Sequence, residues 1–384
     1  MQSLFWLCLS TLLTIAGFAG AQPAEITVMK EQGLSEGVVG IITSLVYAGV
    51  LCMAPFQPWL AARYGTVLIY QAGKLLAACG FASLALAHVP WVWALATLVI
   101  GMGAGLTWPV TDSLLATFAP EDKKGAWMGL FQTGMGAAFA VGPFVASALG
   151  PQTMFYLAAA TSVASSLPLI GRKAEVAHED DTGATDGLLE VLRMAPELPL
   201  LAFIGGFFEN STHTAITLSA LGLSWAENAA IALAGVIGAG AFVIQYPIGR
   251  LADKRGPRLV IIGALGILIA SSLPLPLGRA VPELLWVIAF LWGAAGGCLY
   301  TMAMTGMAQR FTGMRVLTAT TLMVMSYTVG GLVGPTAGGF AVQNSILWGP
   351  LVLFIVTALL GLLTQVRSAA TASASLAQVE KDND

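Results

Sequence analysis

Hydrophobic residues along the chain come in blocks of roughly 20, the length that spans the ~30 Å hydrocarbon core of a bilayer as a helix. Proline, glycine and charged residues mark the ends of several blocks, for example at Pro90 and at Pro282-Glu283. The pattern predicts twelve transmembrane helices, with spans at residues 2–21, 38–60, 66–87, 91–116, 126–148, 153–170, 198–220, 228–250, 257–277, 283–307, 316–340 and 345–366.

The first block admits two interpretations. Ala19, Gly20 and Ala21 imitate a signal-peptide cleavage site, but no basic n-region precedes them, because the first basic residue is Lys30. The apolar stretch is also longer than the usual ~7–15 residues of a signal peptide. These features favour a retained first transmembrane helix over a cleaved signal peptide.

The composition agrees with a membrane protein. Of the 384 residues, 57% are hydrophobic and only 10% are charged, with a formal net charge of −3. A soluble domain carries about 25% charged residues, so this chain lacks the means to cover a water-facing surface. A soluble enzyme, a nucleic-acid-binding protein and a disordered chain are therefore excluded. The sequence predicts an all-α integral membrane protein surrounded by the lipid bilayer.

The basic residues predict an orientation in the membrane. With both termini in the cytoplasm, fourteen of the 17 Lys and Arg residues fall in cytoplasmic segments. Only Lys30 and Arg279 fall outside, and Lys74 falls within span three. An odd number of spans would remove this asymmetry. We therefore expect a multi-pass protein of the cytoplasmic (inner) membrane with both termini inside the cell.

Charge also divides the chain into two halves. Residues 171–197 hold ten of the 37 charged residues and are interpreted as a cytoplasmic linker. Within this linker, residues 186–194 are suited to an interfacial helix. The linker separates an N-terminal six-helix half, 1–170, from a C-terminal six-helix half, 198–366. The remaining residues, 367–384, form a polar, Ala/Ser-rich tail that is predicted to be disordered.

The two halves carry an internal repeat. Four landmarks in the first half recur in the second at a nearly constant separation of 189 to 192 residues. They are the pairs Gly65 and Gly256, Gly142-Pro143 and Gly334-Pro335, Gly101 and Gly293, and Gly33 and Gly222. A single match is expected by chance in a chain with 44 glycines, but four matches at nearly the same separation indicate a duplication. Transporters built from repeats place their substrate near the midplane, between the halves.

The loop between spans eight and nine reads Gly249-Arg-Leu-Ala-Asp253-Lys254-Arg-Gly256-Pro-Arg258. It resembles, at every position, the G-x-x-x-D-[RK]-x-G-x-[RK] signature of the major facilitator superfamily. Gly249 permits close helix approach and Gly256 permits a tight turn. Asp253 can accept from a helix N-terminus or pair with a base, and Lys254 and Arg258 anchor the loop to the cytoplasmic face.

The resemblance implies that this loop acts as a gate. In the family, the loop carboxylate contacts a helix end of the other half, or a basic residue, in one of two access states. Arg310 is the candidate partner here. The equivalent first-half loop keeps only Arg63 and Gly65, because Pro58 and Ala62 replace the Gly and the Asp.

Span eleven carries a second element of the family, G-x-x-x-G-P-x-x-G-G, at Gly330, Gly334, Pro335, Gly338 and Gly339. Span five keeps Gly142 and Pro143. The runs 245–254 and 326–330 resemble most the bacterial YcaD-like group. The family's Arg in the fourth helix is replaced by Thr97, so its proton-relay role is not carried over. The resemblance implies twelve transmembrane helices in the major facilitator fold.

Polar residues inside the spans are the candidates for function, because a charge deep in a membrane costs from about 2.5–3.5 kcal/mol upward. Glu209 lies about 16 Å into span seven, near the midplane. His213 is one turn away on the same face, and Asn210 extends the polar surface. We interpret Glu209 and His213 as a proton or substrate site. The alternative is a neutral Glu that holds a helix crossing through its hydrogen bond to His213.

Further candidates come from spans three, four and ten. Asp112 and Lys74 lie at similar depths, so they are suited to a role in transport or to a structural ion pair. Lys74 can also snorkel toward the cytoplasmic surface. Trp108 and Tyr300 are related by the repeat and are predicted to face each other across the cavity. Weaker candidates are Tyr47, Gln132, Gln245 and Tyr327.

These features favour a secondary active transporter that moves a small solute by alternating access. The sequence has no phosphate-binding loop, no cluster of His and Cys for a metal, and no nucleophile–base pair. We therefore expect no enzymatic activity, no cofactor and no metal. We expect a monomer that uses protons for coupling. Two alternatives are a transporter-like sensor or scaffold without transport, and an integral-membrane enzyme.

Overall fold

The computed structural model describes the backbone of residues 2–87, 89–118, 124–167, 190–311 and 314–382. Side chains are described for residues 5–87, 89–111, 130–131, 133–167, 190–311, 315 and 318–366. Within these ranges every regular element is a helix. Most of the predicted linker, residues 171–189, lies outside the described part of the chain.

Within each half, the helices follow one another with short connections. The first half contains α1 Gln2–Glu31, α2 Glu36–Met53, α3 Gln57–Tyr64, α4 Thr66–Leu86, α5 Pro90–Phe118, α6 Lys124–Leu149 and α7 Pro151–Ala164. The second half contains α8 Glu197–Gly222, α9 Glu227–Arg255, α10 Pro257–Ser272, α11 Leu284–Arg310, α12 Met314–Asn344 and α13 Trp348–Asp382, with a 3₁₀ helix at Leu275–Arg279.

Two equivalent turns mark the repeat. Gly65 joins α3 to α4 with φ 87°, and Gly256 joins α9 to α10 with φ 81°. Each glycine N–H closes the preceding helix on a carbonyl four residues back, Ala61 or Ala252, at 2.8 Å. A side chain at either turn would be strained, because only glycine adopts positive φ without a steric cost.

The first two spans end at other residues than the sequence predicts. The sequence predicts that span one ends at residue 21, but α1 continues to Glu31. Its polar residues Glu25 and Thr27 are buried against neighbouring helices, so they do not end the helix. Span two was predicted over 38–60, but α2 ends at Met53 and a turn separates it from α3. Pro55 lies in this turn and has no N–H to continue the helix.

The end of the chain also differs from the prediction. Helix α13 runs on to Asp382, through the tail that the sequence predicts to be disordered. Residues 369–377 read AATASASLA, and alanine has the highest intrinsic helix propensity of all residues. A long transmembrane helix therefore propagates into an alanine-rich tail without a new nucleation step.

Seven helices within the described residues are long and apolar enough to cross a bilayer. They are α1, α2, α4, α5, α9, α11 and α13. Parts of α6 and α10 are apolar but shorter, at Thr133–Leu149 and Pro257–Ser272. Helix α8 is less apolar because its middle carries Glu209, Asn210 and His213.

An aromatic cluster holds α8 within the second half. The ring of Phe354 on α13 lies 4.9 Å from that of Phe208 on α8 and 4.7 Å from that of Trp292 on α11. All three side chains are fully buried. The face of α8 opposite this cluster carries the polar residues and is directed toward the first half.

The two halves meet closely at one end of the bundle. Near this end, Gly37 on α2 donates its N–H to the side chain of Gln343 on α12 at 2.9 Å. Further along the same pair of helices, Ser44 and Thr336 share a hydrogen bond of 3.1 Å. A Cβ on Gly339 would overlap the carbonyl oxygen of Glu36, so α2 and α12 touch backbone to backbone.

Helices α6 and α9 form the second contact between the halves. The two halves separate along this pair of helices. Gly238 lies against Ala140, and Gly136 lies against the ring of Phe242. One turn further, Tyr246 is 70% exposed, and Leu130 is 64% exposed. The structure is therefore closed at the end that carries Glu36 and Asn344 and open at the end that carries Arg255 and Arg310.

Gly339→Leu should force the closed end apart, because a side chain there has no space against the backbone of α2. Maleimide should label Ser44→Cys, in a background without native cysteines, about tenfold faster or more when Gly339→Leu is present. Gly266→Leu on α10 is the matched control, since nothing lies within contact of that position. Equal labelling in both variants would show that this contact does not hold the end closed.

Candidate functional site

A run of small residues on α12 allows that helix to approach α8, which carries the polar residues, very closely. A Cβ on Gly330, Gly334 or Gly338 would press on the carbonyl oxygen of Phe203, Phe207 or Ser211, respectively. These six residues advance by four along each helix, so the two backbones run side by side through the middle of the second half. In the first half, Gly142 makes the equivalent contact with α1, and Pro143 follows it inside α6.

This close approach brings tyrosines onto the polar residues of α8. Tyr327 on α12 donates its hydroxyl to Glu209 Oε2 at 2.9 Å. The ring of Tyr300 on α11 stacks obliquely on Tyr327 with 4.7 Å between centroids. The hydroxyl partner of Glu209 is therefore Tyr327 on α12, and no hydrogen bond among the described side chains joins Glu209 to His213, the partner that the sequence suggested.

Asn210 links the two halves. Its amide donates to the carbonyl of Gly206 at 2.8 Å, one turn back on α8. Its side-chain oxygen accepts a hydrogen bond from the hydroxyl of Tyr47 on α2. Tyr47 and Asn210 are both buried, so this hydrogen bond forms away from bulk water across the interface.

A second buried carboxyl, which the sequence analysis missed, lies on α1. Glu25 is 6% exposed and accepts a hydrogen bond from the hydroxyl of Thr97 on α5. The predicted first span ended at residue 21, which placed Glu25 outside the membrane. Pro23 lies inside α1, because transmembrane helices tolerate an internal proline.

These groups line two small cavities. One, of about 30 Å³, is lined by Glu25, Thr97, Asn210 and His213 and has room for about one water molecule. The other, of about 90 Å³, is lined by Glu209 and His213 together with Gln245 and apolar residues of α6, α9 and α11. His213 is thus common to the cavities that hold the two buried carboxyls.

The remaining candidates lie elsewhere in the structure. Trp108 lines a pocket inside the first half, and Tyr300 packs on Tyr327. Lys74 is 5% exposed and lies with its amine 5.1 Å from the ring centroid of Tyr70. It lines the same pocket as Trp108 and does not snorkel to the surface. The side chains of Asp112 and Gln132 lie outside the described residues.

The predicted gate residues lie at the open end. Arg310 pairs with Glu197 at the start of α8, and not with Asp253 as the sequence predicted. The reason is that α8 begins beside the end of α11, whereas Asp253 is exposed near the end of α9. Arg258 donates to the carbonyl of Gln365 at 3.1 Å.

The other loop residues face water. Lys254 is exposed, and Gly249 has free space around it, so the close helix approach that the sequence predicts for Gly249 does not occur here. Arg63 extends over the rings of Trp59 and Tyr64, 5.7 Å from each centroid.

The family is decided by comparison with known proteins. The family model described as Major Facilitator Superfamily matches residues 7–243 and 198–381, which together cover most of the chain. This chain belongs to the major facilitator superfamily. It is accordingly a multi-pass membrane transporter of all-α fold, with twelve transmembrane helices in two six-helix halves.

Relatives agree with this assignment and with the predicted resemblance to the YcaD-like group. The chain is 25% identical over 362 residues to the MFS-type transporter YfkF of Bacillus subtilis (strain 168), covering 90% of each. It is also 25% identical over 329 residues to the MFS-type transporter YcaD of Shigella flexneri, covering 82% of each. Both names describe these relatives as uncharacterized.

Two solved structures share the fold. The nucleoside transporter NupG superposes with a TM-score of 0.76 at 14% identity, covering 96% of this chain and 99% of that one. The D-xylose-proton symporter superposes with a TM-score of 0.73 at 13% identity, covering 94% and 96%. At this identity the likeness concerns the fold and not the substrate.

Tyr47→Phe should weaken the closed end, because it removes one buried hydrogen bond between the halves, worth about 1 kcal/mol. That loss corresponds to about a fivefold rise in the population with the closed end parted. Maleimide labelling of Ser44→Cys should rise by the same factor. The control Tyr246→Phe removes an exposed hydroxyl on α9 and should leave the labelling unchanged. An unchanged rate in Tyr47→Phe would contradict a role for this hydrogen bond.

Proposed function

We propose that this protein is a proton-coupled secondary transporter, which moves a small solute across the cytoplasmic membrane by alternating access. It acts as a monomer, with both termini in the cytoplasm and without a cofactor or a metal. The observation that carries the proposal is a pair of buried carboxyls, one from each half. Glu25 and Glu209 lie in separate cavities that share the side chain of His213.

A buried carboxyl favours its neutral form, because desolvation penalises the charge. When water reaches such a group, the charged form regains its hydration and the proton leaves. A carboxyl in the interface between two moving halves therefore binds and releases a proton as access alternates. Glu209 and Glu25 both occupy this position, and Tyr327 and Thr97 hold their carboxylates in place.

His213 is suited to pass a proton between the two cavities. An imidazole can accept a proton on one ring nitrogen and donate one from the other. Residues of four neighbouring helices face the cavity of Glu25, namely Thr43, Phe81, Thr97 and Pro335, and none of these side chains carries a charge. Asn210, hydrogen-bonded to Tyr47, completes the polar lining.

The two halves, 1–170 and 198–366, are the moving bodies of this proposal. In the present structure they touch at the end near Glu36 and Asn344 and separate at the end near Arg255. This geometry supports a state open on the side of the termini. The opposite state requires α2 to part from α12 and the loop between α9 and α10 to approach the first half.

The loop between α9 and α10 is the gate for that second state. Asp253 and Lys254 are exposed here and have no ion-pair partner among the described side chains. Closure of this end carries Asp253 toward the basic residues and helix ends of the first half, where Arg63 lies at the equivalent turn. The carboxylate then stabilises one access state without affecting the other.

Glu209→Gln should abolish accumulation driven by a proton gradient, because an amide cannot take up and release a proton. Exchange of solute across the membrane should remain. The measurement is uptake into proteoliposomes of the labelled solute found by screening sugars, nucleosides and organic acids, with and without an imposed pH gradient. Infrared difference spectra after a pH jump report the loss of the Glu209 carboxyl band without any solute.

Glu25→Gln should behave in the same way if the two carboxyls act in series, and Glu283→Gln in a connecting segment is the control. Accumulation by Glu209→Gln with an unchanged pH profile would make Glu209 a structural residue. If no labelled solute is transported by the wild-type protein, the alternative of a sensor or scaffold gains support.

Asp253→Asn should shift the balance toward the state open on the side of the termini, because it removes the charge that stabilises the opposite state. We expect a severalfold lower rate of transport at normal expression, and slower labelling of Ser44→Cys. Asp253→Glu keeps the charge and should restore most of the rate. Identical kinetics for Asp253→Asn and the wild type would show that the loop is not a gate.

A further inference from the structure

A third cavity lies inside the first half, among α1, α4, α5 and α6. Its volume is about 80 Å³, about that of two to three molecules of liquid water. Its walls are mainly aromatic and apolar, and it contains one charged group, Lys74. We call it the Lys74 pocket, and its aromatic and sulfur-containing walls are Phe18, Phe81, Trp108, Phe131, Met135 and Phe139.

Lys74 is an ammonium in an apolar setting. It is 5% exposed, and its amine lies over the ring of Tyr70, which provides a weak cation–π contact. Among the described side chains, no carboxylate lies within ion-pair distance of Lys74. A buried charge without a counterion is costly, so the pocket gains stability from an anion that enters it.

The hydroxyls around the pocket do not compete with Lys74 as donors. Thr14 donates to the carbonyls of Ser10 and Thr161, and Thr107 and Thr111 donate to carbonyls one turn back. Lys74 is therefore the one cationic donor that the pocket lining offers an incoming anion. One ammonium matches one carboxylate, and the apolar walls match a short hydrocarbon body.

The pocket also adjoins the two cavities with buried carboxyls. Phe18 and Phe81 form walls of both the Lys74 pocket and the Glu25 cavity. Phe139 forms a wall of both the Lys74 pocket and the Glu209 cavity. Ile100 is also a wall of both the Lys74 pocket and the Glu25 cavity, so the Lys74 pocket shares side-chain walls with each carboxyl cavity.

We propose that the Lys74 pocket binds a small apolar monocarboxylate, whose carboxylate pairs with the amine of Lys74 while its hydrocarbon body packs on the aromatic walls. The proposal deepens the proposed function, on which it rests, by naming the class of solute. A pocket of this volume has room for a short-chain acid. The single cation disfavours dianions, since a second carboxylate would be buried without a partner.

The test is binding to the purified full-length protein in detergent, measured by calorimetry and by the shift of the melting temperature. The probe is isobutyrate, and its neutral and cationic counterparts of similar shape are isobutyramide and isobutylamine. We expect isobutyrate to bind and to raise the melting temperature, and the other two to have no effect.

Lys74→Met should weaken isobutyrate binding by about tenfold or more, because it removes a charge-assisted hydrogen bond. Lys74→Arg keeps the charge and should retain part of the affinity. The control Arg279→Gln removes the same charge from an exposed site and should leave binding unchanged. The unliganded melting temperature of each variant shows whether it is folded.

Three results would overturn the proposal. They are equal binding of isobutyrate and isobutyramide, no binding of isobutyrate to the folded wild-type protein, and full affinity in Lys74→Met. If isobutyrate binds to Asp112→Asn but not to the wild-type protein, then Asp112 neutralises Lys74 in the native protein. The proposal then fails for the wild type.

Failure of this proposal can be told apart from failure of the proposed function. Binding of isobutyrate needs no proton gradient, so it should persist in Glu209→Gln. A protein that accumulates another solute with protons but ignores isobutyrate keeps its transport function and lacks this specificity. A protein that binds isobutyrate through Lys74 but never accumulates any solute keeps the site and loses the coupling.

Discussion

The backbone-to-backbone contact between α8 and α12 determines the geometry of the whole site. Hydrophobic burial does not drive helices together inside a bilayer, so close packing depends on small residues that let backbones approach. Gly330, Gly334 and Gly338 supply this surface. Because α8 lies so near, the hydroxyl of Tyr327 reaches Glu209, and a carboxyl in the middle of a transmembrane helix acquires a partner.

The same helix α12 also contacts the other half of the protein. Gly331 lies against the ring of Tyr47, and Gly339 lies against the carbonyl of Glu36, both on α2. One face of α12 therefore holds α8, and the adjacent face closes the interface. A change in the packing of α12 reaches the polar residues of α8 and the closed end together.

Much of this arrangement could be predicted from the sequence. Length and hydropathy predict the spans, and the repeated glycines predict two related halves. Glu209 stood out because a carboxyl among apolar residues is rare. Glu25 was missed because the predicted first span ended at residue 21, and only tertiary packing shows that the helix continues buried.

Contacts between elements were harder to predict. Tyr47 was a weak candidate until the structure placed it on Asn210, since no local pattern pairs residues 163 positions apart. The expected ion pair of Arg310 with Asp253 was wrong for this state, because the partner of an exposed charge depends on how the halves are arranged. Glu197 lies nearer at the open end.

The position of Glu25 suggests how proton binding and movement of the halves are linked under the proposed function. Its cavity is walled by Thr43 on α2 and by Pro335 on α12, which belong to the pair of helices that closes one end. Parting α2 from α12 removes one side of this wall. The step that opens the protein to the far side therefore hydrates Glu25, while the cavity of Glu209 is bounded by α6 and α9, the other pair of helices between the halves. The two carboxyls thus meet water at different stages of one motion, and His213 lies between them.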